Sequence, residues 1–451
     1  MAVALPMRLA LALALPLSAA WGQAAPPAAS LSLGDAARLA ARQNAAVVAA
    51  RYRADQADAR ITQRRADLLP TVSAFALENG RTLNTATFGI DFPTPPGQQP
   101  VFDPAGQVEG PVNTFDMRGR FSQPVFDAGA MGQVRSARAA AEASDFDADA
   151  AADQAAAIAA SAYVRAARAD AQLGARIADS SLAEDLLRVA REQLRAGVGV
   201  GLDVTRAQSQ LAAIRSQLIT ARNDRGRARL ELLRTLGLPL DTRLVLTDSL
   251  AALRLDEAPP AEDDAIAQAL RARADLHSVD AQLEAVERQT GAVRAERLPT
   301  ISAFGDYGTI GKNGGGNLLG TYNWGVQLSL PIFDGLRREG RIEEQTALHR
   351  EIDVRRRDLR EQASVEVRTA LLDLASAREA VSAARERVTL AEQEVSQASE
   401  RFRAGVAGNA DVFTASLSLN AARTQVVDAL AAFQTARIAL ARAEGGAREL
   451  R

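Results

Sequence analysis

Between Val367 and Phe402 the apolar residues fall alternately three and four positions apart: Val367, Ala370, Leu374, Ala377, Val381, Ala384, Val388, Ala391, Val395, Ala398 and Phe402. That is a heptad seam, with alanine at every other position so that a second helix can approach closely. It predicts one helix from 336 to about 403, on the order of 100 Å at ~1.5 Å per residue. The pattern returns only briefly in the first half, at Ala183, Leu187, Ala190 and Leu194. Each seam is followed by a shorter returning helix, over 203–236 and 411–443, and each half opens with an amphipathic helical segment, 33–66 and 262–296.

Elsewhere the period drops to two. In YNWGVQLSL (322–330), Tyr322, Trp324, Val326, Leu328 and Leu330 share one face, and Asn323, Gly325, Gln327 and Ser329 the other. Phe115, Met117 and Phe121 alternate in the same way with Thr114, Asp116, Arg118, Arg120 and Ser122. Strict alternation describes a sheet with one apolar and one polar face. Weaker strands open at LLPTVSAFA (68–76) and RLPTISAFG (297–305), so the expected strands are about 71–80, 113–123, 300–309 and 321–330. Prolines bracket each pair, Pro70 with Pro124 and Pro299 with Pro331, because proline ends a helix and cannot donate within a sheet. Asp127 and Asp334 stand where the following helices need N-caps. The first loop, TPPGQQPVFDPAGQVEGP (94–111), reads as a large mobile excursion, and the second, TIGKNGGGNLLG (309–320), as short and glycine-rich.

The chain is a duplication. QLRAGVGVGLDVTRAQSQL (193–211) recurs as RFRAGVAGNADVFTASLSL (401–419), with Arg195, Gly197, Val198 and Asp203 returning as Arg403, Gly405, Val406 and Asp411. Each phrase joins two antiparallel helices at the end of the coiled coil far from the strands. Gly197 and Gly405 can take the left-handed conformation that ends a helix, and Asp203 and Asp411 suit the positive end of the next.

Composition supports this picture. Of 451 residues, 47% are hydrophobic but only 4% aromatic, which favours closely packed long helices over a large globular core. A net charge of -2 gives no reason to expect nucleic acid, and with no cysteine there is no disulfide, thiolate site or lipid-anchored amino-terminal cysteine. His277 and His349 lack ligand spacing, and no nucleophile triad, phosphate loop or zinc motif occurs, so no metal, cofactor or enzymatic activity is expected. Arg8 and the apolar run 9–20 read as a secretory leader cleaved after Ala20 or Ala24, with Met7 as an alternative start. No other stretch reaches the ~18 apolar residues of a membrane helix, so a membrane crossing must use strands.

Strands of about nine to eleven residues suffice for that. Four of them cannot close, and an open edge in lipid strands backbone hydrogen-bonding groups, so several chains must share one barrel. Eight strands would nearly fill with side chains, whereas twelve would leave a lumen. The polar face is expected to turn inward, and Tyr322, Trp324, Val326, Leu328, Phe115 and Met117 are the lipid-facing candidates, Tyr322 and Trp324 being suited also to packing against a neighbouring subunit.

With its repeated LPT[VI]SAF, [PV][IV]FD and RAGV…DV phrases, the chain resembles the outer-membrane efflux protein family typified by TolC over essentially all of its mature length. The resemblance implies a mainly α-helical subunit with a membrane β-barrel part, built from two tandem repeats. The first would span 25–240 with its tip near 197–202, and the second 262–451 with its tip near 405–410, after a 1–24 signal peptide and with 241–261 connecting them. It implies a homotrimer with a twelve-stranded outer-membrane barrel continuing into a periplasmic helical tunnel. Such a trimer is a passive duct joined by a periplasmic adaptor, a membrane-fusion protein, to an inner-membrane pump of RND or ABC type, as in tripartite efflux or type I secretion.

The resemblance also assigns roles. Arg195, Gly197, Val198, Asp203, Arg403, Gly405 and Val406 match the adaptor-contacting tips. Asp411 matches an aspartate that forms an acidic ring at the tunnel entrance, although a helix-start aspartate would look the same, as Asp203 does. The second acidic position is Thr414 here, and the closing tyrosine and arginine are Phe402 and Ala407. The expected gate is therefore one carboxylate ring beside a hydrophobic Phe402 constriction. A periplasmic coiled-coil adaptor or scaffold would share the leader and the heptads, but not the alternating strands of membrane-spanning length.

Overall fold

The computed structural model describes residues 29–88, 97, 106–250, 258–312, 317–404, 406 and 408–450. The expected leader lies outside them, as do Gly405, Ala407 and most of the first loop.

The chain begins with β1 (Ala29–Leu31), α1 (Leu33–Gln43) and α2 (Ala45–Ala66). A strand pair follows, β2 (Thr71–Asn84) and β3 (Val108–Phe126), then α3 (Ala128–Arg195) and α4 (Gly201–Leu236). After β4 (Leu244–Leu246) the same succession returns: α5 (Glu262–Ala272), α6 (Ala274–Ala295), β5 (Thr300–Lys312), β6 (Leu319–Ser329), α7 (Arg337–Arg403) and α8 (Asn409–Ala443). The long helices α3 and α7 have 68 and 67 residues.

Several boundaries differ from expectation. Each opening helical segment is broken once, at Asn44 and at Arg273, where ψ turns to 138° and 120°. Asn44 caps the next helix, its side chain accepting from the Ala46 N–H at 2.9 Å. Arg273 does not cap; its guanidinium is held by Asp275 and Glu366 at 2.7 and 2.6 Å. Pro124 lies inside β3, not at its end. The register shifts between Pro124 and Phe126, and such an irregularity accommodates a residue with no N–H to donate. Residues 108–111, expected in the mobile loop, belong to β3, whose pairing with β2 runs on to Asn84 and Val108. Asp127 caps α3 as expected, accepting from Ala130 N–H at 2.8 Å. Asp334 does not stand at the N-cap of α7. Gly335 and Leu336 take positive φ of 74° and 66°, delaying the helix, and the Asp334 carboxylate instead holds the Arg338 guanidinium at 2.7 Å.

The four long strands form one antiparallel sheet in the order β2-β3-β5-β6, so within the chain β2 and β6 each keep one unpaired edge. The two helical hairpins, α3 with α4 and α7 with α8, run away from it. The main core lies partway along, where alanines of α1, α3, α5 and α8 close around Leu232, Leu236 and Val367, and the fully buried Tyr163 donates its hydroxyl to the Leu31 carbonyl at 3.1 Å. Every member of the α7 seam is buried or packed against buried residues, as the heptads predict. In the first copy the seam stops at Ala190, since Leu194 is 43% exposed.

Candidate functional site

The sheet separates two chemistries. Through the cross-strand register, Met117 stands opposite Ala76 and Thr309, Phe121 opposite Val72 and Gly305, and Tyr307 opposite Tyr322. One face therefore carries Val72, Met117, Phe121, Tyr322, Trp324, Val326 and Leu328, all exposed, with Tyr322 and Trp324 at 74% and 75%. Phe115 shares that face but is half-buried. On the opposite face Arg118 reaches Asp116 and Asp306, each at 2.8 Å, and the Arg120 guanidinium lies 5.2 Å from the centre of the Phe75 ring. Gly308 leaves room for Arg118 across the strand pair: a Cβ there would collide with the Arg118 Cβ.

At the other end the two turns are built alike. Gly197, at φ 74°, follows the last turn of α3, and the Val198 and Gly199 N–H groups donate to the Gln193 carbonyl at 3.1 and 3.0 Å. Val406 N–H donates to the Arg401 carbonyl at 3.0 Å, the same bond 208 positions on. Asp203 and Asp411 N–H groups donate to Val200 and Gly408 at 3.1 and 3.4 Å. Val198 and Val406 stand out at 80% and 72% exposure, beside exposed Arg195 and Arg403.

The turns are also tied to one another. Gln193 donates its amide to the Phe402 carbonyl at 3.0 Å, and the buried Asn409 donates to the Asp203 carbonyl at 3.1 Å. Asp411 and Thr414 are exposed on the first turns of α8, the Thr414 hydroxyl returning to the Ala410 carbonyl at 3.0 Å. Phe402 corrects an expectation. It is 3% exposed and packed inside its own chain, so it cannot form a constriction in a lumen.

Sequence reasoning missed a cluster about five turns above the first tip. Asp179 of α3, 1% exposed, receives Arg176 of its own helix at 3.1 Å and Arg423 of α8 at 2.9 Å. With its amide turned to donate, Asn420 adds contacts at 2.6 and 3.1 Å. Burial raises the Asp179 carboxyl above its ordinary value, against the pull of Arg423 and Arg176. Farther up the same seam, Arg168 and Gln172 meet Asp428 at 2.8 and 3.1 Å. Its only sequence signal was an aspartate amid an alanine-rich helix, which reads equally as a solvated face.

A membrane-length antiparallel sheet with one apolar face, carried on two hairpins on the order of 100 Å long, is the architecture of an outer-membrane channel subunit. The sequence profile of the outer membrane efflux protein family matches residues 36–238 and 265–446, and the chain belongs to that family, located in the outer membrane. It is 30% identical over 292 residues to Protein CyaE of Bordetella pertussis, a match spanning 63% of this chain and 60% of that protein, under two-thirds of the relative's length. Its fold is similar to that of the outer-membrane channel OprN, with a TM-score of 0.74 at 20% identity over 92% of this chain and 90% of that one. It is also similar to the outer membrane protein VceC of Vibrio cholerae, with a TM-score of 0.72 at 19% identity over 92% and 96%.

Proposed function

We propose that three copies of this chain close a twelve-stranded barrel in the outer membrane and extend a helical tunnel into the periplasm. The assembly acts as the passive exit duct of a tripartite efflux pump or type I secretion system. The observation that carries this reading is the sheet: four strands with a continuous exposed apolar face and free edges on β2 and β6. An open edge in lipid is unsustainable, and joining β6 of one copy to β2 of the next removes every edge. Three copies supply twelve strands and a lumen, which the polar face with Arg118, Asp116 and Asp306 lines. The exposed tips, with Arg195, Val198, Arg403 and Val406, are the surface for a periplasmic adaptor, which joins the duct to an inner-membrane pump.

Asp411 is the entrance carboxylate. It is exposed at the start of α8, with no ion pair among the described residues, and three copies of it would meet around the tunnel axis.

Purified protein in mild detergent should run as a trimer and conduct in a planar bilayer; recovery as a soluble periplasmic monomer would overturn the duct. In the same recordings, divalent cations added on the tip side should reduce conductance, and Asp411→Ala should relieve the block. A block that persists unchanged in the variant would remove the acidic ring while leaving the duct intact.

A further inference from the structure

The two elbows where helix passes into strand carry one phrase twice, RADLLP at 65–70 and RAERLP at 294–299. They fold alike. Leu68 and Leu69 N–H groups donate to the Arg65 and Ala66 carbonyls at 3.0 and 3.1 Å, and Arg297 and Leu298 N–H groups to Arg294 and Ala295 at 3.2 and 2.9 Å. Each elbow therefore presents an exposed arginine, Arg65 or Arg294, one turn before an exposed leucine, Leu69 or Leu298.

The neighbouring carboxylates are already engaged, Asp67 by Arg64 at 3.9 Å and Glu296 by Arg341 at 2.7 Å. Arg65 and Arg294 have no carboxylate partner among the described residues. A cation in the last turn suits the negative end of its helix, which accounts for an arginine there but not for the apolar residues beside it. Those residues continue on the returning elbow, where Ile332 and Phe333 are 91% and 78% exposed and lie just beyond the end of β6. These exposed apolar residues thus stand between the strand ends and the helices, with Arg65 and Arg294 in the last helical turns beside them. Apolar residues at the hydrocarbon boundary with cations at headgroup level is the arrangement of an interfacial anchor.

We propose that Arg65 and Arg294 bind the phosphates of anionic phospholipids in the periplasmic leaflet of the outer membrane, with Leu69, Leu298, Ile332 and Phe333 seated at the base of the acyl chains. This rests on the barrel reading above, and it adds a ligand and a vertical position for the barrel. The occupant is set by position, at the ends of the strands that carry the exposed apolar face, and by charge: free guanidinium groups beside apolar side chains match a glycerophosphate headgroup on its acyl chains.

The test is native mass spectrometry of the full-length protein released from bilayer nanodiscs containing equal phosphatidylglycerol and phosphatidylcholine of matched chains. Phosphatidylglycerol should be retained preferentially, and Arg65→Gln with Arg294→Gln should lower that preference by about fivefold for each arginine removed. Arg53→Gln with Arg378→Gln, exposed arginines far from the elbows, should leave it unchanged. Equal retention of the two lipids, or a preference that survives the elbow variant, would overturn the proposal. Failure of the wild-type protein to enter nanodiscs at all would instead overturn the barrel.

Discussion

Toward the tips, the seam inside each hairpin and the seam between the two hairpins are packed by opposite means. Inside, Ala183, Leu187, Ala207, Leu211 and Ile214 join α3 to α4, and Ala391, Val395, Ala415, Leu419 and Ala422 join α7 to α8. Between the hairpins the lower half of α8 offers Asn409, Ser416, Asn420, Arg423 and Asp428, met by Asp179, Gln172 and Arg168 of α3. Apolar knobs give strength with little directional demand. Buried polar groups contribute only when each is paired, and they lose heavily when one partner is removed. The hairpins are thus durable units toward their tips, and beyond the main apolar core the joint between them depends on a few specific pairs.

The largest effect should come from Asp179→Ala. It removes the one carboxylate that Arg176, Arg423 and Asn420 converge on, and breaking a buried ion pair from one side costs about 3–5 kcal/mol. Arg176 and Arg423 retain some solvent access, so the lower end of that range is expected in chemical denaturation of the detergent-solubilised protein. Hydrogen exchange sharpens the contrast. Protection should fall along the α3–α8 joint while amides beside Ala391 and Val395 stay protected. A loss below about 1 kcal/mol, or exchange rising equally in both seams, would show that the joint is held by something other than Asp179.

How much of this the sequence displays depends on how many neighbours an element has. Helix α7 packs mainly on α8 and α6, so one face is apolar and its heptads are plain. Helix α3 packs on α1, α2, α4, α6 and α8, so alanine appears all round and the period shows only near the tip, where α4 is the principal neighbour. The same argument covers the sheet. One apolar face makes β6 legible, while the far ends of β2 and β3 pair through their backbones with little alternation to reveal them. The break at Asn44 carried a capping residue that could have been noticed; the matching break at Arg273 did not. Leu194 and Phe402 occupy equivalent positions, yet only Phe402 is covered, because Gln193 ties its backbone to the other hairpin, a contact no single-helix pattern encodes.

The smallest effect should come from Ser416→Ala in the same polar joint. Ser416 is 4% exposed, and its Oγ has no hydrogen-bond partner among the described residues. It lines a cavity of ≈ 20 Å³ between the hairpins, with Asp179, Leu186, Ile214, Asn409 and Phe413 among the walls. Burying an unpaired hydroxyl costs on the order of 1 kcal/mol, so the alanine variant should be unchanged or slightly more stable. Set beside Asp179→Ala, this divides the joint into groups that hold it and groups that merely occupy it. A destabilisation of about 1 kcal/mol or more would place a bridging water on Ser416 and move it to the first group, since a cavity of this size has room for one water.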